Sequence, residues 1–149
     1  LTGITAAEQV PIAVIMTDEG AEIEGYGPIA DGHADELLRR LEVPSAIIRL
    51  TLPQLCAGYM PTLTMRRYVR TRDRRCRFPG CRRPARHCDL DHIVPWPAGP
   101  TDADNLQALC RYHHRLKTHG KWRVERQPDG TTIWISPRGK RYTSRPDDP

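Results

Sequence analysis

Between Cys76 and His119 the chain concentrates the side chains that bind metal ions. This stretch is less than a third of the 149 residues, yet it holds four of the five cysteines and five of the six histidines. Four residues separate Cys76 from Cys81, and two separate Cys110 from His113. Two short pairs of this kind are typical of a structural zinc site, which needs four thiolate or imidazole ligands in a tetrahedron. We therefore predict a zinc ion held by Cys76, Cys81, Cys110 and His113.

A bound metal would also compensate for a modest hydrophobic core. Only 38% of the residues are hydrophobic and there is a single Phe, which argues against one large core. The odd number of cysteines, clustered with histidine, favours a reducing compartment over a disulfide scaffold, so a cytoplasmic location is expected. Cys88 fits neither ligand pair and is interpreted as a packing residue. No apolar run has the length of a membrane span, so no membrane association is expected.

Arginine is concentrated just before and within the metal-binding stretch. From Arg66 to Arg86 there are ten arginines and one acid, Asp73, in a chain whose formal net charge is +5. The planar guanidinium fits phosphate oxygens, and a basic stripe gains affinity by releasing counterions from a polyanion. The run predicts a nucleic-acid partner, and the alternative is a merely solvated surface. The candidate phosphate contacts are Arg74, Arg75, Arg82 and Arg83.

Residues 1–61 predict an α/β extension ahead of the metal-binding domain. Two apolar, β-branched runs, VPIAVIM and SAIIRLTL, are typical of buried strands. Between them, a loop rich in Gly and Pro precedes a short predicted helix that begins near His33 or Asp35. The apolar face of that helix would consist of Leu37, Leu38 and Leu41. Cys56 stands alone in an apolar neighbourhood and is interpreted as a small core residue.

A second helix is predicted at the start of the metal-binding domain, which we place at residues 62–120. It would run from Thr62 to about Arg75, with Thr62 or Thr64 as its cap and arginines on its outer face. Its inner face would contain Leu63, Tyr68 or Arg67, and Val69.

Residues 121–149 predict a C-terminal β-hairpin. Apolar alternation on both sides of the Pro128–Gly130 turn is a strong hairpin signal, and a second turn could lead into a short strand at residues 140–143. The overall prediction is an α+β protein in which a small zinc-stabilised domain lies between an α/β extension and a hairpin.

A second group of polar residues is interleaved with the zinc ligands. Asp91 and His92 stand where an alternating strand gives way to a loop. A carboxylate beside an imidazole allows one group to bind a divalent cation while the other transfers a proton. Such a pair is common by itself, and it gains weight here from Asn105 and His114. This second group is interpreted as catalytic.

The adjacent histidines can serve different metal ions if a helix begins near Cys110. Successive residues of a helix are separated by about 100°, so His113 and His114 point in different directions. His113 follows Cys110 by three residues, shares its face and can complete the zinc site. His114 is then turned toward the strand end that carries Asp91.

The motifs CRFPGC, DLDHIVPW, GPTDADNLQALC and RYHHRLKTHG together resemble the HNH endonuclease family, whose domains have the ββα-metal fold. The resemblance covers about residues 70–120. CRFPGC and the tryptophan-containing hairpin also resemble actinobacterial proteins that carry an HNH domain behind a long region of unknown function. Residues 1–60 would be the tail of that region.

The resemblance implies a metal-dependent nuclease that hydrolyses phosphodiester bonds of DNA, with duplex as the first expectation. It makes His92 the general base, and gives Asp91 and His114 a single Mg²⁺ or Mn²⁺. Asn105 would bond across the loop so that the carbonyl group orienting the His92 ring stays in place. The family more often has Cys at the fourth zinc position. His113 departs from that pattern, and the assignment of His113 and His114 to the two metals stays open at this point.

Three further expectations concern partners. Lys117 and His119 are candidate phosphate contacts, although an exposed lysine and a helix-end histidine or extra metal ligand are the alternatives. One site per chain predicts nicking of a single strand unless a homodimer forms. The rival functions are a zinc-stabilised DNA-binding module without turnover and a protein-interaction domain that uses zinc only to fold.

Overall fold

The computed structural model describes residues 12–17, 20–23, 27–30, 33, 36, 40, 45–49 and 55–145. The chain divides into two compact units, Leu1–Thr51 and Leu52–Pro149. Within the described residues, no helix has the length and apolar character needed to cross a membrane.

The first unit contains a four-stranded sheet in the order β3-β2-β1-β4. Its strands are Ile12–Thr17 (β1), Gly20–Ile23 (β2), Gly27–Ile29 (β3) and Ser45–Arg49 (β4). β1 pairs antiparallel with β2 and parallel with β4, so it is an inner strand, and Val14 is 1% exposed. The parallel pairing requires a crossover, and the residues described there are helical: His33, Glu36 and Arg40. The predicted α/β extension is confirmed, while Leu37, Leu38 and Leu41 lie outside the described residues.

The second unit begins with helix α1, Leu63–Asp73, whose N-cap Thr62 accepts a hydrogen bond from the Met65 amide at 3.2 Å. Met65, Val69 and Asp73 recur every four residues and form the buried face. The expected place of Leu63 on that face is wrong, because its side chain is 64% exposed. Met65, two residues further along the helix, is 0% exposed and fills the core instead.

A β-hairpin followed directly by a helix forms the centre of the unit. Strands β5, Cys88–His92, and β6, Leu106–Cys110, pair antiparallel with Cys88 opposite Cys110 and His92 opposite Leu106. Helix α2, Arg111–His119, follows β6 without a connecting loop, and Cys110 is its N-cap. This order confirms the predicted ββα arrangement. A short 3₁₀ helix, Ala85–His87, leads into β5.

Part of the arginine run holds these elements together. Asp73 is 1% exposed and accepts hydrogen bonds from the Ala108 amide at 2.7 Å and from Arg72 Nε at 2.8 Å. The same guanidinium donates to the carbonyl groups of Ala103 and Leu106. Because Asp73 is buried and the half-buried Arg72 donates to β6 carbonyl groups, the pair attaches α1 to the hairpin. The run of arginines is therefore not one uniform phosphate-binding stripe.

A three-stranded antiparallel sheet ends the described chain, in the order β7-β8-β9. Its strands are Arg123–Arg126 (β7), Thr132–Ile135 (β8) and Arg141–Ser144 (β9). Gly130, at the turn between β7 and β8, has a φ of 80°, which a glycine adopts without strain. The predicted C-terminal hairpin and its third strand are confirmed.

The C-terminal sheet shares a hydrophobic core with the loop of the candidate zinc ligands Cys76 and Cys81. Trp134 is 0% exposed and lies in one cluster with Cys76, Cys88 and Leu109. Arg77, 1% exposed, donates hydrogen bonds from Nη2 to the carbonyl groups of Gly130 and Ser144. The compact unit thus includes residues on both sides of 62–120, and the division of the chain at 61/62 and 120/121 stays a prediction about domains.

Candidate active site and metal centres

The two predicted zinc pairs meet at one point. The ligand atoms of Cys76, Cys81, Cys110 and His113 all lie within 4.8 Å of one another. His113 Nδ1 is 3.5 Å from Cys76 Sγ and 3.3 Å from Cys110 Sγ. Three thiols and one imidazole at this spacing fit a closed tetrahedral zinc site. A bound ion at this point would join the loop before β5 to the start of α2.

Local backbone structure explains how the two side chains of each candidate ligand pair come to point toward the same site. In the first pair, Gly80 adopts a φ of 74°, which turns the chain between the two cysteines. In the second, β6 ends at Cys110 and α2 carries His113 to the same side three residues later. The Phe78 ring stacks on the His113 imidazole, with 3.9 Å between centroids and 7° between planes. The aromatic stack fixes the orientation of the imidazole.

The surroundings of Cys76 and Cys81 disfavour a bare thiolate, the form that a bound metal ion would stabilise. Contact with the Cys88 thiol and burial both raise the pKa of Cys76, and burial raises the pKa of Cys81 to about 11. Burial lowers the pKa of His113, which keeps its imidazole neutral and able to ligate. Buried thiols ionise readily when a cation neutralises the charge, and zinc does so. Cys88 itself is 4% exposed and donates to the Pro84 carbonyl, as expected of a packing residue.

A second polar cluster lies where β5 ends. Asp89 and Asp91 alternate along the strand and share a face, and His114 of α2 lies between them. His114 Nδ1 is 3.0 Å from Asp89 Oδ2, and His114 Nε2 is 3.5 Å from Asp91 Oδ1. The prediction that His113 and His114 diverge is matched by this placement, since the two imidazoles face different clusters.

The hydrogen bond to Asp89 decides which His114 nitrogen can bind a cation. An ionised carboxylate only accepts, so Nδ1 carries the proton. The His114 hydrogen bond, followed by Arg111, lowers the pKa of Asp89 and keeps it ionised. His114 Nε2 then faces Asp91 Oδ1, and a cation between the two atoms would be held by both. Two protein ligands would leave the rest of a Mg²⁺ coordination sphere to water and phosphate oxygens, as this ion prefers.

Asp89 was not among the residues singled out from the sequence. The strand periodicity that places it on the same face as Asp91 was visible, but its contact with α2 depends on the packed fold. A carboxylate that orients a metal-binding imidazole commonly tunes the affinity of the site.

Lys117 lies inside this cluster. Its ammonium is 2.9 Å from Asp91 Oδ2 and 2.6 Å from the His92 carbonyl oxygen, and its side chain is 11% exposed. Gln107 Nε2 donates to the same Asp91 oxygen at 3.0 Å. The Asp91 carboxylate, 6% exposed, is therefore ion-paired with Lys117 and hydrogen-bonded to Gln107 at the end of β5. The expected phosphate contact of Lys117 stays a prediction, and the ammonium is held within the domain here.

His92, the candidate general base, is 7% exposed, and burial lowers its pKa. Its Nε2 lies 2.8 Å from Thr101 Oγ1, and the Thr101 hydroxyl donates to the Tyr59 carbonyl at 3.4 Å. Because the Thr101 hydroxyl donates its hydrogen bond to the Tyr59 carbonyl, its oxygen accepts from His92 Nε2–H. This assignment leaves a lone pair on His92 Nδ1. The Tyr59 ring stacks on the imidazole at 5.3 Å and 22°.

Asn105 spans the loop that follows β5. Its Oδ1 accepts from the Val94 amide at 2.8 Å, and its Nδ2 donates to the carbonyl groups of Val94 and Pro100 at 2.9 and 2.7 Å. Its own carbonyl accepts from the Ile93 amide at 2.7 Å. A Cβ on Gly99 would lie 2.6 Å from Asn105 Nδ2, so only glycine fits at position 99 of this loop. These bonds hold the backbone next to His92.

The predicted phosphate contacts differ in exposure. Arg74, Arg82, Arg83 and His119 are exposed, and Arg75 is half-buried. Three other arginines of the run point inward, namely Arg70, Arg72 and Arg77, which donate to backbone carbonyl groups. The basic surface available to a polyanion is narrower than the sequence indicates.

The hairpin followed by a helix, the Cys₃His cluster beside it and the Asp-His pair at the end of the first strand lie in the segment that carries the resemblance to the HNH endonuclease family. Residues 74–120 match the profile of the HNH endonuclease family. This confirms the resemblance inferred from the motifs, and the chain carries an HNH domain at these residues.

Mycobacterial proteins are similar to the chain over much of its length. The uncharacterized protein Rv3776 of Mycobacterium tuberculosis is 40% identical over 145 residues, which is 95% of this chain and 27% of that protein. The uncharacterized protein Rv2100 of the same organism is 52% identical over 89 residues, 59% of this chain and 16% of that protein. The chain thus spans about a quarter or less of the length of these relatives. No solved structure gives a significant match.

Proposed function

We propose that this chain is a metal-dependent endonuclease that hydrolyses phosphodiester bonds of DNA. The observation that carries the proposal is the orientation of His114. Asp89 fixes the proton on Nδ1, so Nε2 faces Asp91 Oδ1 at 3.5 Å, beside the backbone of His92. A zinc ion on Cys76, Cys81, Cys110 and His113 would stabilise the fold.

His92 would remove the proton from the attacking water. Its pKa is lowered by burial, so the imidazole is neutral near pH 7 and can accept a proton. Thr101 holds the Nε2–H side, and the proton from water would therefore be taken up at Nδ1. Asn105 would keep the imidazole in place by fixing the loop backbone between Ile93 and Pro100.

Asp91 and His114 would hold the catalytic Mg²⁺ or Mn²⁺. Such an ion supplies charge stabilisation for the phosphate and its leaving oxygen. Exposed arginines and His119 would contact the flanking phosphates, since such contacts position a duplex without reading its sequence. The products would be 5′-phosphate and 3′-hydroxyl ends.

One site per chain would nick one strand of a duplex, and cutting both strands would require a second copy. All five cysteines are unpaired, and each lies within the described residues. Free thiols and a Cys₃His site suit the reducing cytoplasm, where we place the protein.

The experiment is a plasmid-nicking assay with Mg²⁺ or Mn²⁺. We expect His92→Ala to abolish nicking, because it removes the imidazole that would take the proton from water. His87→Ala is the matched control, since His87 is an exposed histidine of the 3₁₀ helix. Equal nicking by the wild-type chain and His92→Ala would contradict the assignment.

The second candidate function is a DNA-binding module without turnover. One observation favours it: the Lys117 ammonium neutralises the Asp91 carboxylate that the cation would use. The two functions differ in metal content. Both need one tightly bound zinc per chain, but only the nuclease needs a weaker Mn²⁺ site that Asp91→Asn removes.

A further inference from the structure

We propose that Lys117 is a built-in counter-cation that shares Asp91 with the divalent cation and sets how tightly that cation binds. This inference rests on the proposed nuclease function. It gives Lys117 a positioning and electrostatic role in place of the phosphate contact expected from the sequence.

The two oxygens of Asp91 have different surroundings. Oδ2 accepts from Gln107 at 3.0 Å and lies 2.9 Å from the Lys117 ammonium. Oδ1 faces His114 Nε2 at 3.5 Å and lies 3.2 Å from Lys117. Oδ2 is therefore the anchored oxygen, and Oδ1 is the oxygen turned toward the second cation ligand. A cation bound between Asp91 and His114 would lie close to the ammonium.

Helix geometry makes this arrangement a property of α2. Lys117 follows His114 by three residues, so both side chains project from the same face of the helix toward the end of β5. The lysine side chain is 11% exposed, and ordering so long a side chain costs entropy that a surface lysine would not lose. The contact with the His92 carbonyl at 2.6 Å ties the ammonium to the backbone of the candidate base as well.

The expected consequence is that the site formed by Asp91 and His114 binds a divalent cation weakly. A positive charge beside a divalent cation repels it, and burial limits how far water screens that repulsion. Removing the charge while keeping the side-chain volume should tighten Mn²⁺ binding by on the order of tenfold or more. Turnover should fall in a variant that also lacks a donor at this position, because the His92 carbonyl group then loses its contact with residue 117.

The test measures Mn²⁺ binding by electron paramagnetic resonance of the free ion, with the zinc-loaded full chain at fixed ionic strength. Lys117→Met removes the charge and the hydrogen bonds, whereas Lys117→Gln removes the charge and keeps a donor. Lys140→Met is the matched control, because Lys140 is exposed and rests over the Tyr142 ring. Zinc content and thermal melting check the fold, and if Lys117→Met does not fold, Lys117→Gln carries the test.

We expect both Lys117 variants to bind one Mn²⁺ at least about tenfold more tightly than the wild-type chain, with Lys140→Met unchanged. Unchanged or weaker binding in Lys117→Gln would overturn the inference, as would an effect confined to Lys117→Met. Asp91→Asn separates this result from the proposed function. If no variant shows an Asp91-dependent Mn²⁺, both fall. A site that appears only when Lys117 is replaced supports the inference by showing that the lysine excludes the cation.

Discussion

Replacing Asn105 with alanine should loosen the loop that carries the candidate base. Asn105 is 9% exposed and makes three side-chain hydrogen bonds, of 2.7 to 2.9 Å, to Val94 and Pro100. Each bond contributes about 1 kcal/mol net. Val94 and Pro100 are exposed, so water can satisfy their backbone groups and no large desolvation penalty is added. The expected loss of unfolding free energy is about 3 kcal/mol.

That loss can be measured by urea denaturation of the zinc-loaded chain followed by tryptophan fluorescence. For a unit of this size, about 3 kcal/mol corresponds to a fall in melting temperature of roughly 12–24 °C. If the loop opens in the folded protein, about 3 kcal/mol multiplies its open-to-closed ratio by roughly a hundred, and nicking should fall in proportion to the closed fraction that is lost. Asp104→Ala, at the exposed neighbouring position, should change stability by less than about 0.5 kcal/mol. An Asn105→Ala protein as stable and as active as the wild-type chain would refute the reasoning.

Three further changes test other parts of the site. Cys81→Ser removes one candidate zinc ligand, so the chain should lose its zinc and melt at a lower temperature. The control variant Cys56→Ser should keep one zinc per chain, as measured by atomic absorption. Zinc retained in Cys81→Ser would argue against the ligand set. Asp89→Asn weakens the hydrogen bond that orients His114, so Mn²⁺ affinity should fall roughly tenfold or more, and an unchanged affinity would remove Asp89 from the site. Thr101→Val removes the acceptor of the His92 Nε2–H, and nicking should fall at least about tenfold with zinc content unchanged; full activity would show that Thr101 does not hold the imidazole.

The parts of the fold that the sequence predicts are local. Three predicted features each depend on neighbouring residues, and the structure contains all of them. They are the ligand pairs with two and four residues between their members, the hairpin turn at Pro128–Gly130 and the helix cap at Thr62. The face of α1 was only partly predicted. Met65 and Leu63 are both apolar, and only packing against β6 decides which is buried.

The surroundings of the candidate catalytic residues could not be predicted because they come from distant parts of the chain. Tyr59 and Thr101 reach His92 from separate loops, and Lys117 reaches Asp91 from α2. Nothing in the local sequence of any of them indicates these contacts. The roles of His92, Asn105 and the cation ligands stay predictions that the proposed experiments address.

The arginine run shows a different limit. The sequence does not distinguish an arginine that is buried and donates to backbone carbonyl groups from one that is exposed and meets phosphate. Arg72 is held by Asp73, the single acid in the run, and this pairing was a signal that the two have a structural role. Counting arginines overstates the charge that is free to meet a nucleic acid.

Trp134 and the candidate zinc ligand Cys76 share one core, which bears on how this domain can be moved or shortened. The segment that matches the HNH profile ends at residue 120, yet Arg77 is tied to Gly130 and Ser144 beyond it. A gene fragment cut to that segment would leave Phe78, which lies between the candidate zinc ligands Cys76 and Cys81, without the two tryptophans that pack against its ring. The smallest piece able to fold, and hence the smallest that recombination could transplant into another protein, must therefore extend through β9.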